Sequence, residues 1–591
     1  MENFSNYYSE EVIIKMLCGY RAKHSNRRHK LHKMRDISLH DTTKKIKVIN
    51  KKDEFTKLQE LFPSRRKWKK LNLVERKLYD DSLKRTSAML FKSYKLYKRK
   101  NIPFLDSENW YKNLLNFVTE VQNVFNELDS YCMESPKIIG ILKKIETDKT
   151  EYRPIALYEL KDRIISSVTA KYLTDFFDSY FLSCSFAFRS SKNKKKFTHH
   201  KTIEEIIEYR NLNKKIWVSE CDIQKFFDAV NHKHIINVFN EHINIVAKSQ
   251  NKEIDNKAKK IFNKFLDSFA FNLDVYPKNL DNEWKAKNNL KKNGYFKWIE
   301  KTLIKDYGSE YLNQRIGVAQ GNAISCFISN LLLHNIDSKV LSIDKSIFYI
   351  RFCDDMVLMH FNEEVCNSAL ELYKKELNLN FLSYHNPVKC NNYLNKEDCK
   401  KFWKSKSKEP YLWDNPNDVN NSIPWLSFVG YQVKYNQEIR IRKQSIEKEK
   451  RKQVKQVENI FEAIGLGFGK IKVELNFTSR KSRNQLIHSL SKRLQSMSVG
   501  RIEMYNFKKS TQGLCWTSGF KIIRGKKNKI ISKQLKQLDS FREKQISRLI
   551  KNLDGLEKES HKPENDNFKE DEYFGSPYSY HNYLINHLEE E

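Results

Sequence analysis

The sequence predicts an α+β fold, and three observations carry that prediction. First, Ser346 to Phe361 is an apolar run interrupted by Asp354 and Asp355, which reads as two strands with acids at the turn. Second, Ile216-Trp217-Val218 opens a strand-like stretch that ends at a further acid, Asp222. Third, Ile324, Phe327, Ile328, Leu331 and Leu332 recur at helical spacing just after Gly317-Val318-Ala319-Gln320-Gly321-Asn322. Strands bearing acids, separated by an apolar helix and flanked by long helical segments, define the class.

The acids also carry chemistry. Adjacent carboxylates repel unless a cation neutralises them. Magnesium prefers oxygen ligands and commonly takes one or two carboxylates together with substrate phosphates. A two-metal centre needs another carboxylate from elsewhere in the chain, and Asp222 supplies the candidate. The pattern points to nucleotidyl transfer. The bland alternative is a solvated acidic turn.

On these residues the chain resembles the reverse transcriptases, specifically the bacterial ones related to group II intron enzymes. The stretch from Asp222 to His232 resembles their first palm motif. Gly317 to Asn330 is similar to the Gln-Gly motif that opens the palm helix, and Phe352-Cys353-Asp354-Asp355 resembles the Tyr-x-Asp-Asp signature. Tyr152-Arg153-Pro154-Ile155, Lys161 to Ile164 and Ser185 to Arg189 resemble finger motifs. Asn386 to Lys389 resembles the lysine-bearing palm motif, and Phe428 to Gln432 the primer grip. These landmarks keep the family's order across residues 135 to 445. Phe352 stands for the usual Tyr, and Ala319 and Cys326 for two prolines.

The resemblance implies a right-hand polymerase, with fingers and an antiparallel palm sheet plus helices, a helical thumb and a helical N-terminal extension. The expected boundaries are 1–130 for a basic extension, 131–435 for fingers and palm, 436–555 for the thumb and 556–591 for a polar tail. Polar insertions are expected near 248–300 and 391–423. The resemblance implies that Asp222, Asp354 and Asp355 hold two Mg2+ ions, with Mn2+ as a substitute and the backbone carbonyl of Ile223 as a further ligand. It implies that Lys144 (or its neighbour Lys143), Arg153, Phe227, Gln320 and Lys389 bind the nucleotide, Phe227 as a steric gate against ribose. Asp228 and His232 are expected to fix the turn.

Among such enzymes the extension and the insertions suit the phage-defence group, the abortive-infection and defence-associated enzymes. That group implies a noncoding RNA as template or scaffold, deoxynucleotide triphosphates as substrates, a DNA product and a homo-oligomer. Some members prime on a protein hydroxyl, for which Tyr573, Tyr578, Tyr580 and Tyr583 are the candidates here. A group II intron-type maturase and an RNA-binding scaffold with a vestigial polymerase fold are the alternatives.

Charge supports a nucleic-acid partner. Lys plus Arg number 108 against 73 Asp plus Glu, a formal charge of +35, which favours polyanion binding that weakens with salt. A lysine-rich coding bias accounts for part of that excess. Arg65, Arg66 and Lys67 beside Trp68, and Lys450 and Arg451 in the thumb, are the expected backbone contacts. Ten cysteines without a Cys-x-x-Cys pair exclude a zinc ribbon and a disulfide framework. No apolar run suits a membrane span, so a cytoplasmic location without a membrane partner is expected.

Overall fold

The computed structural model describes residues 3–35, 54–79, 82–190, 197–419, 421–464, 483–499, 516–523 and 529–557. Two compact units divide the chain. One holds Met1–Ile13, Phe117–Val429 and Lys434–Gln437, and the other holds Ile14–Asn116, Gly430–Val433 and Glu438–Glu591. The N-terminal extension from residue 14 thus clusters with the thumb segment.

In the first unit, β1 (Lys137–Ile145) and β2 (Thr150–Leu157) pair antiparallel as the fingers hairpin. A bulge between Leu142 and Lys144 shifts their register. Helix Leu160–Phe177 follows, with Ile164, Ile165, Val168, Leu173 and Phe177 in the core. Then come β3 (Trp217–Asp222), β4 (Gly294–Phe296), β5 (Phe348–Phe352), β6 (Asp355–His360), β7 (Lys408–Leu412) and β8 (Trp425–Phe428). The palm is a four-stranded antiparallel sheet in the order β5-β6-β3-β7. Helix Glu363–Leu379 packs on β3, β6 and β7, and Ala323–Leu341 packs between it and Leu160–Phe177.

The two segments expected to be insertions each add a strand to a sheet. The segment at 248–300 contains helix Asn256–Asp267, whose Ile261, Phe262, Phe265 and Leu266 are buried. Phe262 stacks on Phe239 with ring centroids 4.1 Å apart. The same segment supplies β4, which joins β2 in parallel through Thr150↔Gly294 and Tyr152↔Phe296. The segment at 391–423 supplies helix Lys396–Lys404 and then β7, the palm edge strand beside β3. Pro410 fits there because an edge strand can spare one backbone donor.

In the second unit, β9 (Tyr431–Lys434) pairs with β10 (Ile439–Ile441). Helices Lys443–Ala463, Arg483–Val499 and Lys529–Glu557 pack around Val457, Ile460, Leu486, Leu490, Leu549 and Leu553. Beyond β10 the described residues of this unit's C-terminal part are thus mainly helical. Among the described residues no disulfide forms, and no helix is long and apolar enough to cross a membrane.

Candidate active site

Register brings the acids together. In the β3–β6 ladder Asp222 lies directly opposite Asp355. Phe352 pairs with Asp355, so Cys353 and Asp354 form a two-residue turn, with Cys353 at φ +62°. Residues directly opposite in an antiparallel pair present their side chains on one face. Asp355 is exposed, whereas Asp354 is partly buried. Burial, then the charge of Asp222, raises the Asp354 carboxyl above the ordinary aspartate range.

No three acidic, histidine or cysteine side chains among the described residues converge as a ready-made metal cluster. Asp222 instead meets cations of the chain: Lys406 Nζ lies 2.5 Å, and His385 Nε2 3.5 Å, from its Oδ2. The donor set still suits hard divalent cations. It offers carboxylate oxygens that repel one another, in a number that leaves positions for phosphate oxygens. The side chain of Ile223 is buried, which leaves only its backbone to face a ligand.

Lys406 is absent from every sequence expectation. It sits in the 391–423 insertion, on the turn between helix Lys396–Lys404 and β7, and the hydroxyl of Ser407 beside it accepts from the backbone N–H of Asp222 at 3.0 Å. Lys389, expected from its motif, is exposed. Burial and the neighbouring Lys406 charge hold His385 below the ordinary histidine range.

The residues expected to meet the nucleotide are stitched by backbone bonds. Val318 N–H donates to Phe227 O at 2.7 Å, and Gly317 N–H to Val230 O at 2.8 Å. Gly317 has φ +92°, and a Cβ there would run into Phe271, so only glycine fits. Gln320 donates from Nε2 to Asp228 Oδ1 at 2.5 Å. Its carbonyl accepts from Ala156 of β2 at 3.2 Å, tying this loop to the fingers. Phe226 is in the core, but Phe227 is only partly buried, edge-on to Phe226 with centroids 5.2 Å apart. Arg153 is exposed on β2.

The finger lysines are sorted by the bulge. Lys144 is exposed and pairs with Glu146 at 2.8 Å near the hairpin tip. Its neighbour Lys143 pairs at 2.8 Å with the buried Glu151. Lys143, rather than Lys144, therefore faces the charged interior.

Asp228 does more than close a turn. It is 1% exposed, and its Oδ2 has no hydrogen-bond partner. Burial pushes its carboxyl up to about 6, against the opposing charge of Lys225. The folded chain therefore binds this proton more tightly than the unfolded chain. Folding gains from Asp228 below the unfolded value near 4 and loses that gain as pH rises through about 6. Asp228→Asn should consequently raise the melting temperature at pH 8 by a few degrees, roughly, and by less at pH 5. Thermal melts at the two pH values check this, and equal shifts would refute it. His232 keeps its turn role: it is buried, and its Nε2 is 2.8 Å from Gly317 O.

The outlying cations divide. Arg65, Arg66 and Lys67 are exposed on a short 3-10 turn, with Lys67 paired to Glu108 at 2.8 Å. Trp68 is buried, with its indole donating to Pro63 O, so that ring is not a stacking platform. Lys450 pairs with Glu447 and lies over Phe541, while Arg451 is exposed. Tyr573, Tyr578, Tyr580 and Tyr583 lie outside the described residues.

Residues 141–429 match the family model described as reverse transcriptase (RNA-dependent DNA polymerase). No curated protein matches the chain. Among solved structures, it is similar to telomerase from Candida albicans in complex with a TWJ fragment of telomeric RNA. That match has 12% identity, covers 81% of this chain and 74% of that one, and gives a TM-score of 0.30. It is also similar to apo telomerase from Candida tropicalis, at 10% identity over 85% and 81% of the two chains, with a TM-score of 0.34. The family match makes residues 141–429 a reverse transcriptase domain and the protein an RNA-directed DNA polymerase, a nucleotidyltransferase.

Proposed function

We propose that the protein copies an associated noncoding RNA into DNA by two-metal nucleotidyl transfer, in antiphage defence. The observation that carries the chemistry is the register of Asp222 against Asp355 beside the Asp354 turn. In this reading Asp222, Asp354 and Asp355 hold two Mg2+ ions. When bound, such ions lower the pKa of a primer hydroxyl and neutralise charge on the leaving pyrophosphate. The rest falls to the chain. Gln320, fixed by Asp228, and Phe227 border the nucleotide, and Arg153 meets the triphosphate. Lys406 releases Asp222 when the site fills. The defence assignment rests on the resemblance in the sequence and on the segments added to the core. Priming from a tail tyrosine is part of the same reading.

Protein purified with its cellular nucleic acid tests this. Added magnesium and labelled deoxynucleotides should yield DNA complementary to the bound RNA, and Asp354→Ala/Asp355→Ala should yield none. Tight RNA binding without synthesis would favour a scaffold. Label that stays on the denatured protein, and is lost when the four tyrosines become Phe, would support protein priming.

Phe227 gives a sharper prediction. A ring beside the sugar excludes a 2′-hydroxyl by clash, so Phe227→Ala should raise ribonucleotide incorporation, relative to deoxynucleotide, by about tenfold or more. The ratio of the two kcat/KM values reads this directly. An unchanged ratio assigns Phe227 to packing.

A further inference from the structure

A line of alternating charges joins the fingers hairpin to the palm, and the chemistry above leaves its centre unused. Glu151 on β2 is 4% exposed. Its Oε1 accepts from Lys143 Nζ at 2.8 Å and from Lys225 Nζ at 3.3 Å. Two ammonium groups from different elements thus converge on one carboxylate oxygen. Lys225 Nζ is also 4.0 Å from Asp228 Oδ2. Lys225 follows Asp222 by three residues in a left-handed conformation at φ +51°.

The position of this cluster is informative. Lys143 is close enough to act electrostatically on both Asp228 and His385. Asp228 holds Gln320, and His385 sits beside Asp222, so the charge of Lys143 acts on groups at both ends of the site. Arg153 is two residues beyond Glu151 on the same strand, hence on the same face. Two cations accordingly meet one internal anion, and Arg153 is exposed further along the strand. A buried strut would hide all its members, yet the Lys143 side chain is 40% exposed. Paired lysines meeting one anionic oxygen are also how a protein receives a phosphate oxygen.

We propose that Glu151 is an internal stand-in for phosphate, which holds Lys143 and Lys225 in the nucleotide-free enzyme and yields them to the incoming triphosphate. This rests on the polymerase reading of the site. Glu151 is then a positioning residue that sets nucleotide affinity. It keeps the two lysines ordered, and it weakens binding by competing for them.

Glu151→Gln keeps the shape and removes the competing charge. The KM for deoxynucleotide should fall about fivefold, with kcat changed less. Calorimetry with inorganic tripolyphosphate should show a similar tightening, retained in the Asp354→Ala/Asp355→Ala background and lost when Lys143→Met or Lys225→Met is added. Unchanged or weaker tripolyphosphate binding by Glu151→Gln, or a lower melting temperature with no gain in affinity, would overturn the proposal and leave a strut. The conservative Glu151→Asp, folded and with near-normal KM, separates a charge effect from damage. Absence of DNA synthesis by the unaltered protein would instead count against the polymerase reading, while the tripolyphosphate arm would still decide the role of Glu151.

Discussion

Asp354→Asn should reduce DNA synthesis by about 10³-fold or more while leaving the fold as stable as before, or more so. The two effects have one cause. Asp354 sits on the turn between β5 and β6, beside Cys353 in its left-handed conformation. Burial and the charge of Asp222 disfavour its ionised form. A charge held in such a place without a counter-ion costs folding energy, and a neutral amide of the same size removes that cost. The carboxylate therefore does not serve stability, which fits the metal-holding role proposed for it. Melting curves without divalent ions should show Asp354→Asn equal to or above the unaltered chain. Single-turnover synthesis should show the loss. A variant within tenfold of normal would remove Asp354 from the chemistry.

The opposite profile is expected at Arg351. This guanidinium is 0% exposed, and its Nη2 meets Asp337 Oδ2 at 2.7 Å. Its Nε also bonds Asp337, at 2.9 Å to Oδ1. Nη2 reaches Ser185 Oγ at 3.0 Å, and Nη1 donates to the carbonyl of Cys353 at 2.9 Å. Tyr349 adds a bond to Asp337 at 2.8 Å. One buried cation thus ties Ser185, the helix Ala323–Leu341 and the Cys353–Asp354 turn together. Arg351→Met strands the Asp337 carboxylate and should cost about 3–5 kcal/mol. Replacing both partners, as Arg351→Met/Asp337→Leu, should recover part of that stability, because neither charge is then left alone. It should not recover synthesis, because the Cys353 carbonyl still lacks its donor. Urea denaturation and synthesis assays on the two variants separate these outcomes. A double variant that regained activity would show that Arg351 serves the fold alone.

These contrasts explain which parts of the site were legible in the sequence. Asp222 ends one short apolar strand, Asp355 begins another and Asp354 stands in the turn before it, so local pattern alone marks them. Gln320 stands just before the start of an apolar helix, with Asn322 as its cap. Lys406 could not be read in this way, because it is 184 residues from the carboxylate it meets. It also lies in a segment whose composition suggests only a polar excursion. Lys143 and Lys144 were indistinguishable until the bulge at Leu142/Lys144 broke the alternation of β1. Glu151 had one readable signal, its spacing of two from Arg153 on a strand. Its pairing with Lys225 depends on how the fingers fold back on the palm. The three residues of β4 are too few to show a period, and Pro410 argued against a strand at β7.

The placement of β4 and β7 bears on how such an enzyme can change in length. Both strands attach at an outer row of a sheet, β4 beside β2 and β7 beside β3. A sheet can take on a row at its border without altering the pairing of rows already there. A strand laid between β3 and β6 in the sheet would part Asp222 from Asp355, whereas one added outside β3 leaves that alignment untouched. The border is thus the tolerant direction of growth. What accumulates there can reach back into the centre, as the lysine just before β7 does.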